Sequence, residues 1–453
     1  MKKSMLICAP VTSRSGYGDH SRDLVSSLIE NEKYDIKILD VRWGDCPRNA
    51  LKKYNTQDKK ILNRILDAGT QLKEQPDVYV DIRIPNEFQQ LGKFNIGITA
   101  GIETNVVSSE WVAGCNKMDL IIVPSEHSKA GFISSKYDKL QQSPDGSQQK
   151  IGELKLEKPI EVLFEGADDD VYKPLESKEI DTEFFDWLNE MVPEKFAFLF
   201  VGQWTKGDYG EDRKDIGKLI KIFYESFANK KKQPALILKT NGATYSIMDR
   251  EECLKKIEAV KSMFPSDWKL PNVYLLHGDL SGEEMNYLYN HPKIKGMVSL
   301  THGEGFGRPL LESTMVGLPV ITTNWSGHKD FLDERYCVLL GGKLEKVPPS
   351  AVWKNIIEKD SQWFVVDDNS TYKMLNNAFE NVDFTKRTAK ELMKINRNKF
   401  TLKNMGKLLN EMVDGYVSGG SSSPKQVSLN LPKLKKVSDK NPTEPKLPKL
   451  KKV

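Results

Sequence analysis

Two glutamates with seven residues between them, Glu304 and Glu312, bracket a glycine turn at Gly303, Gly305 and Gly307. Carboxylates so placed can accept hydrogen bonds from ribose or sugar hydroxyls. The turn has a chemistry of its own. It follows an apolar stretch, residues 296–300, that reads as a strand. Pro309 then suits the first position of a helix carrying Leu310, Leu311 and Met315 inward. Backbone N–H groups at such a helix start point outward beside the positive end of the helix dipole. That is a site for an anion, and a diphosphate would fit it. Glu304 lies in the turn and Glu312 about one turn into the helix.

The elements that must position this unit recur along the chain. Apolar or alternating runs at residues 5–10, 34–41, 77–84, 95–100, 119–124 and 160–164 read as strands, with helical stretches between them. A second series follows at 196–202, 235–240, 273–277 and 319–322. Strand–turn–helix alternation on this scale predicts an α/β fold with parallel sheets. Ligands collect at the C-terminal ends of such strands, which makes Glu103, just after 95–100, and Lys239, at the end of 235–240, candidate site residues. The loop at 13–18 is punctuated by Gly16 and Gly18 but lacks a G-x-G-x-x-G dinucleotide fingerprint. Arg213 and Lys214 read, on their own, as solvated residues at the start of an amphipathic helix whose inner face carries Ile216, Leu219, Ile220 and Phe223. Residues 136–159 are polar and turn-rich, a surface excursion, while 370–382 and 384–416 read as helical.

The stretch GEGFGRPLLESTMVGLPVITT resembles the E-x7-E donor motif of retaining nucleotide-sugar glycosyltransferases of the GT-B architecture, family 4-like. The resemblance implies that Glu304 acts near the transferred sugar and Glu312 near the nucleotide ribose. It also implies that the backbone of Gly305, Phe306, Gly307 and Arg308 faces the phosphates, although Arg308 stands where relatives often carry an apolar residue. Lys214 matches the lysine of the family's phosphate-binding pair, with Asp215 in place of the glycine. The family's preceding arginine is Gln203 here, and Arg213 would supply its charge. Gly278 and Leu280 match a segment that lines the base pocket with backbone. SGYGDHSR resembles the cleft loop that faces the acceptor, through Gly16, Tyr17 and Gly18. Glu103 stands where many relatives place a histidine, which implies a catalytic or acceptor contact.

The architecture implied is two Rossmann-like domains facing a cleft: residues 1–175 for the acceptor and 176–384 for the donor, with helices at 385–417 crossing back to the first domain. A flexible basic tail, 418–453, expected to be disordered, would follow. The family generally needs no bound divalent metal and no cofactor beyond its nucleotide-sugar substrate. Asp168, Asp169 and Asp170, which invite a metal reading, therefore read as loop acids capping local backbone.

Composition agrees with a two-domain globular protein: 453 residues, 39% hydrophobic and 29% charged. No apolar run approaches the roughly 20 residues that span a bilayer. The start, MKKSMLICAPV, has too short an apolar part for a signal peptide and reads as a first buried strand. Five scattered cysteines and six histidines show neither disulfide nor zinc spacing, which points to the cytoplasm. The net charge of +4 is uneven: residues 424–453 carry nine lysines against Asp439 and Glu444, or +7, which leaves −3 elsewhere. That tail repeats LPKLKKV at 431–437 and 447–453, and either tethers an anionic partner or simply solubilises. The expected reaction is sugar transfer from a nucleoside-diphosphate donor to a hydroxyl of a glycan, a lipid-linked acceptor or a nucleic acid, with retention. A nucleic-acid-modifying transferase and a non-catalytic scaffold are the alternatives.

Overall fold

The computed structural model describes residues 2–67, 69–142, 148–179, 182–204, 209–242 and 244–419. The expected tail from residue 420, with both repeats, lies outside the described residues, as does Gly207, which the sequence places with Gly210 in a loop ahead of Arg213.

The first domain contributes strands β1 (Lys3–Ala9), β2 (Tyr34–Asp40), β3 (Val78–Ile82), β4 (Phe94–Ile98), β5 (Leu120–Val123), β6 (Tyr137–Gln142), β7 (Gln148–Leu154) and β8 (Ile160–Val162). Six of these form a parallel sheet in the order β2-β1-β3-β4-β5-β8, with Met5 paired to Ile36 on one side and Val78 on the other. β3 and β5 are buried along their whole length, as strands covered on both faces must be. Helices α1 (Gly16–Glu30), α2 (Thr56–Leu62), α3 (Ser109–Cys115) and α4 (Glu126–Ser134) accompany the sheet. The expected excursion at 136–159 contains the antiparallel pair β6–β7, which exposes Leu140 and Ile151.

The second domain repeats the plan. Its strands are β9 (Ala197–Val201), β10 (Ala235–Lys239), β11 (Val273–Leu276), β12 (Ile294–Val298), β13 (Val320–Thr323) and β14 (Val338–Leu340), parallel in the order β11-β10-β9-β12-β13-β14. An antiparallel pair, β15 (Gly342–Lys346) and β16 (Gln362–Val366), stands apart from that sheet. Helices α5 (Thr182–Met191), α6 (Ile216–Phe227), α7 (Ile247–Lys261), α8 (Gly282–Asn290), α9 (Arg308–Met315) and α10 (Asp368–Glu380) complete it. Ser281 and Glu284 form a reciprocal capping box on α8. The molecule therefore has the GT-B architecture: two Rossmann-like domains with parallel sheets.

The helical stretch expected at 384–416 is broken. It forms α11 (Val382–Lys399) and α12 (Leu402–Val417), because the Thr401 hydroxyl accepts from Asn404 N–H at 3.1 Å and starts a new helix. At this break the chain crosses between domains beside its own earlier crossing. Ala167 N–H donates to the Phe400 carbonyl at 3.0 Å, and Leu402 N–H donates to the Ala167 carbonyl at 2.8 Å. Beyond it, Met405, Leu409 and Val413 of α12 enter the first-domain core with Leu24, Val25 and Leu28 of α1. No helix among the described residues is long and apolar enough to cross a membrane.

Candidate active site

The glycine turn connects β12 to α9 and touches the first domain directly. A Cβ on Gly303 would lie 2.1 Å from the Glu103 carbonyl oxygen, and one on Gly305 would lie 2.1 Å from that of Ala100. Only residues without a side chain permit this approach. Ser125 Oγ, at the cap of α4, donates to the Gly305 carbonyl at 2.6 Å. Within the second domain the turn is fixed from Glu304: its N–H donates to Ser326 Oγ at 2.9 Å, and its carbonyl accepts from Gly327 N–H at 2.9 Å. Gly307, at φ +98°, caps α9.

Two cations meet this turn from the start of α6. Lys214 Nζ forms a buried ion pair with Glu304 Oε1. Arg213 Nη1 lies 2.5 Å from Glu103 Oε1, across the domain boundary. Burial alone would raise the Glu304 carboxyl, but Lys214 and Arg213 outweigh it and hold it below the ordinary carboxylate value. Burial lowers the Lys214 ammonium, and Arg213 adds to that effect against the pull of Glu304. Asp212 caps α6, accepting from Lys214 N–H at 3.1 Å and Ile216 N–H at 3.2 Å. Asp215 then takes φ +51°, a left-handed conformation suited to glycine. That is the position where the sequence motif has glycine.

Glu312 faces a different environment. Arg308 Nε donates to its Oε1 at 3.2 Å, and the Tyr289 hydroxyl donates to its Oε2 at 3.3 Å. Burial, partly offset by Arg308, pushes its carboxyl up to about 7. Arg308 Nη1 also lies 2.6 Å from Asp23 Oδ2 of α1, without the alignment of a hydrogen bond. Glu165, buried nearby, is pushed up to about 7 as well, by burial against the opposing pull of Arg308. A guanidinium at the often-apolar motif position thus serves acids from both domains.

The remaining expected residues are distributed as follows. Lys239 Nζ donates to the Gly278 carbonyl at 2.6 Å, and Gly278 takes φ +136°. Between them, Gly278 and Leu280 flank Asp279, which pairs with Arg14 of the first domain. Leu280 packs against the second-domain core, and the Phe306 side chain is buried against Phe331 at a centroid distance of 5.0 Å. Gly16, Tyr17 and Gly18, expected in a loop, form the first turn of α1, because Ser15 Oγ accepts from Gly18 N–H at 3.1 Å. The Tyr17 ring stacks on Trp43 at 3.9 Å, and its hydroxyl accepts from Ala100 N–H at 3.0 Å. Asp168 Oδ1 accepts from Asp170 N–H at 3.0 Å. Among the described residues, no three His, Cys, Asp or Glu side chains are grouped for a metal ion.

The structure therefore brings Glu103, Arg213, Lys214 and Glu304 together, and places Glu312 with Arg308 on α9. Sequence reasoning missed Asp23, Glu165, Tyr289 and the pairing of Arg14 with Asp279. An arginine at an apolar motif position was the available signal that acids would face it. A cavity of about 500 Å³ lined by Tyr224, Lys261 and Val273 includes none of these residues in its wall.

Residues 266–343, which include the glycine turn and α9, match the family model described as Glycosyl transferases group 1. No curated protein matches the chain. Among solved structures, the chain is similar to sucrose-phosphate synthase from Thermosynechococcus elongatus, at 12% identity over 92% of this chain and 100% of that one, with a TM-score of 0.61. It is similar to Anabaena HepE in complex with UDP-glucose, at 12% identity over 91% and 100%, with a TM-score of 0.56. A glycosyltransferase from Rickettsia africae gives 12% identity over 93% and 100%, with a TM-score of 0.57. At these identities the likeness is one of fold.

Proposed function

We propose that the protein transfers a sugar from a nucleoside-diphosphate sugar to an acceptor hydroxyl with retention at the anomeric carbon, without a divalent metal, in the cytoplasm. The observation that carries this reading is the buried Lys214–Glu304 ion pair at the glycine turn, with Arg213 beside it. A diphosphate at this turn meets the Arg308 N–H and the positive end of the α9 dipole, because Pro309 has no N–H and the Leu310 and Leu311 N–H groups already donate to the Gly307 carbonyl. Arg213 and Lys214 offset the negative charge that builds on the phosphate oxygen as its bond to the sugar breaks, a task a metal performs elsewhere. Glu304, held ionised, faces the sugar as positive charge grows on its ring. Glu312 takes the ribose hydroxyls in exchange for its present partners. Glu103 and the α1 start, Gly16 to Gly18, stand on the acceptor side.

The acceptor hydroxyl belongs to a glycan, a lipid-linked saccharide or a nucleic acid, and residues 424–453, at +7, bring an anionic partner to the enzyme. The Anabaena neighbour was solved with UDP-glucose, so a uridine donor is the first to try.

Thermal shift with UDP, GDP, ADP and their sugars tests the donor site. A ligand at ~100 times its Kd adds about 2.7 kcal/mol. No stabilisation by any of them refutes a nucleotide-sugar donor. Turnover abolished by EDTA and restored by magnesium or manganese refutes the metal-free chemistry, and a product of inverted anomeric configuration refutes retention.

A further inference from the structure

One buried pair beside the site has no part in this mechanism. Asp215 follows Lys214 and is 1% exposed, and His302 precedes Gly303 and is 2% exposed. Among the described residues, neither Asp215 oxygen nor His302 Nε2 has a hydrogen-bond partner, and Asp215 Oδ2 lies 3.6 Å from that Nε2. Unpaired polar atoms at this depth cost the fold stability, and Asp215 adds the strain of φ +51°. Glycine would remove the strain and the buried carboxyl, but it would leave His302 Nε2 unpaired.

The imidazole is fixed on its other sides. Nδ1 lies 2.8 Å from the Phe364 carbonyl, so Nδ1 carries a proton and donates. The ring stacks on Trp363 at 4.1 Å and 13°. The His302 N–H donates to the Arg213 carbonyl at 3.0 Å, and its own carbonyl accepts from Phe364 N–H at 2.9 Å. Nε2 is left facing Asp215, with the Gly210 carbonyl also near the ring. The charged groups around the pair are Asp212, Lys218 and Asp368 about Asp215, and Lys218 and Glu345 about the ring. Burial raises the Asp215 carboxyl well above its ordinary value and lowers the imidazole to about 4. With Nδ1–H donating to Phe364, a neutral His302 presents Nε2 as an acceptor toward Asp215, and a protonated Asp215 carboxyl can donate to it. A movement of about 0.7 Å closes the gap to a hydrogen bond.

We propose that Asp215 and His302 form a positioning pair that sets the start of α6 against the glycine turn, so that Lys214 meets Glu304 in register. The two pairs, 214 with 304 and 215 with 302, are adjacent in sequence on the α6 side and one residue, Gly303, apart on the other. The kinetic consequence rests on the donor-site reading above, whereas the pair itself does not.

Nitrogen-15 spectra of the histidine-labelled full chain, with His302 assigned through His302→Gln, read the pair directly. At pH 7 His302 should show the neutral Nδ1–H form, and Asp215→Gly should move its Nε2 resonance. An unmoved resonance overturns the proposal. Hydrolysis of UDP-glucose, or of whichever nucleoside-diphosphate sugar stabilises the wild type, supplies the functional reading. Asp215→Gly should keep or raise Tm while kcat falls about tenfold with KM little changed, and Asp215→Asn, which can still donate, should restore most of the loss. A structural contact alone would lower Tm and spare kcat, which overturns the positioning role. Equal losses in the Gly and Asn variants overturn it too. A wild type that turns over no nucleoside-diphosphate sugar counts against the donor reading, and the nitrogen-15 result then decides the pair by itself.

Discussion

At Glu304 two cations outweigh burial and the carboxyl stays ionised, whereas at Glu312 burial outweighs Arg308 and titration moves up to about 7. On the proposed mechanism, Glu304→Gln lowers kcat with little change in nucleotide affinity by calorimetry, since its contact strengthens as charge develops on the sugar. Glu312→Gln mainly raises the donor KM, by roughly ten- to hundredfold for a lost charge-assisted hydrogen bond. Loss of nucleotide binding in the first variant, with only kcat reduced in the second, would reverse these roles. Glu165 allows a test that needs no substrate. Its folded value, about 7, exceeds its ordinary 4.5, so the acid is penalised for ionising in the fold. The penalty is absent below pH 4.5, grows as pH rises, and is complete above pH 7, where it amounts to about 3 kcal/mol at most. Glu165→Gln should therefore gain roughly 1–3 kcal/mol at pH 8.5 and nothing at pH 4.5, measured by urea unfolding at both. Parallel stability profiles for the two proteins would contradict this account of Glu165.

The unit β12–turn–α9 was readable because everything that shapes it is local: a buried strand, three glycines, a proline at the helix start and two glutamates at fixed spacing. Asp215 was readable as a departure from glycine, and its left-handed backbone shows what that departure costs. Contacts between distant segments were not readable. Nothing in the period or spacing of α1 marks Asp23 as the neighbour of Arg308. The break between α11 and α12 lay within reach, since Thr401 followed by Asn404 is a helix start, but the apolar periodicity runs on through it. That break lets α12 return to the first domain, where Leu409 is fully buried against α1. Leu409→Ala should cost about 2–5 kcal/mol. Hydrogen exchange should show the loss in β1, β2 and α1 before β9 and β10. Uniform loss across both sheets would mean that α12 does not belong energetically to the first domain.

Across the whole molecule, the cleft is closed by Glu103–Arg213, Arg14–Asp279 and Asp23–Arg308, each joining the two domains. Arg308 is the pivotal partner, because removing it leaves Asp23, Glu165 and Glu312 buried without their shared cation. Arg308→Met should increase the radius of gyration in solution scattering of the nucleotide-free protein, and an unchanged curve would show that closure does not depend on it. Behind the cleft, the two interdomain crossings are stitched to each other at Ala167, Phe400 and Leu402. A door hung on one pin can sag and twist, but one hung on two swings along a single arc. Two chains laced side by side bend together and resist being wrung, so each time the second domain swings away and returns, its latches arrive opposite the same keepers.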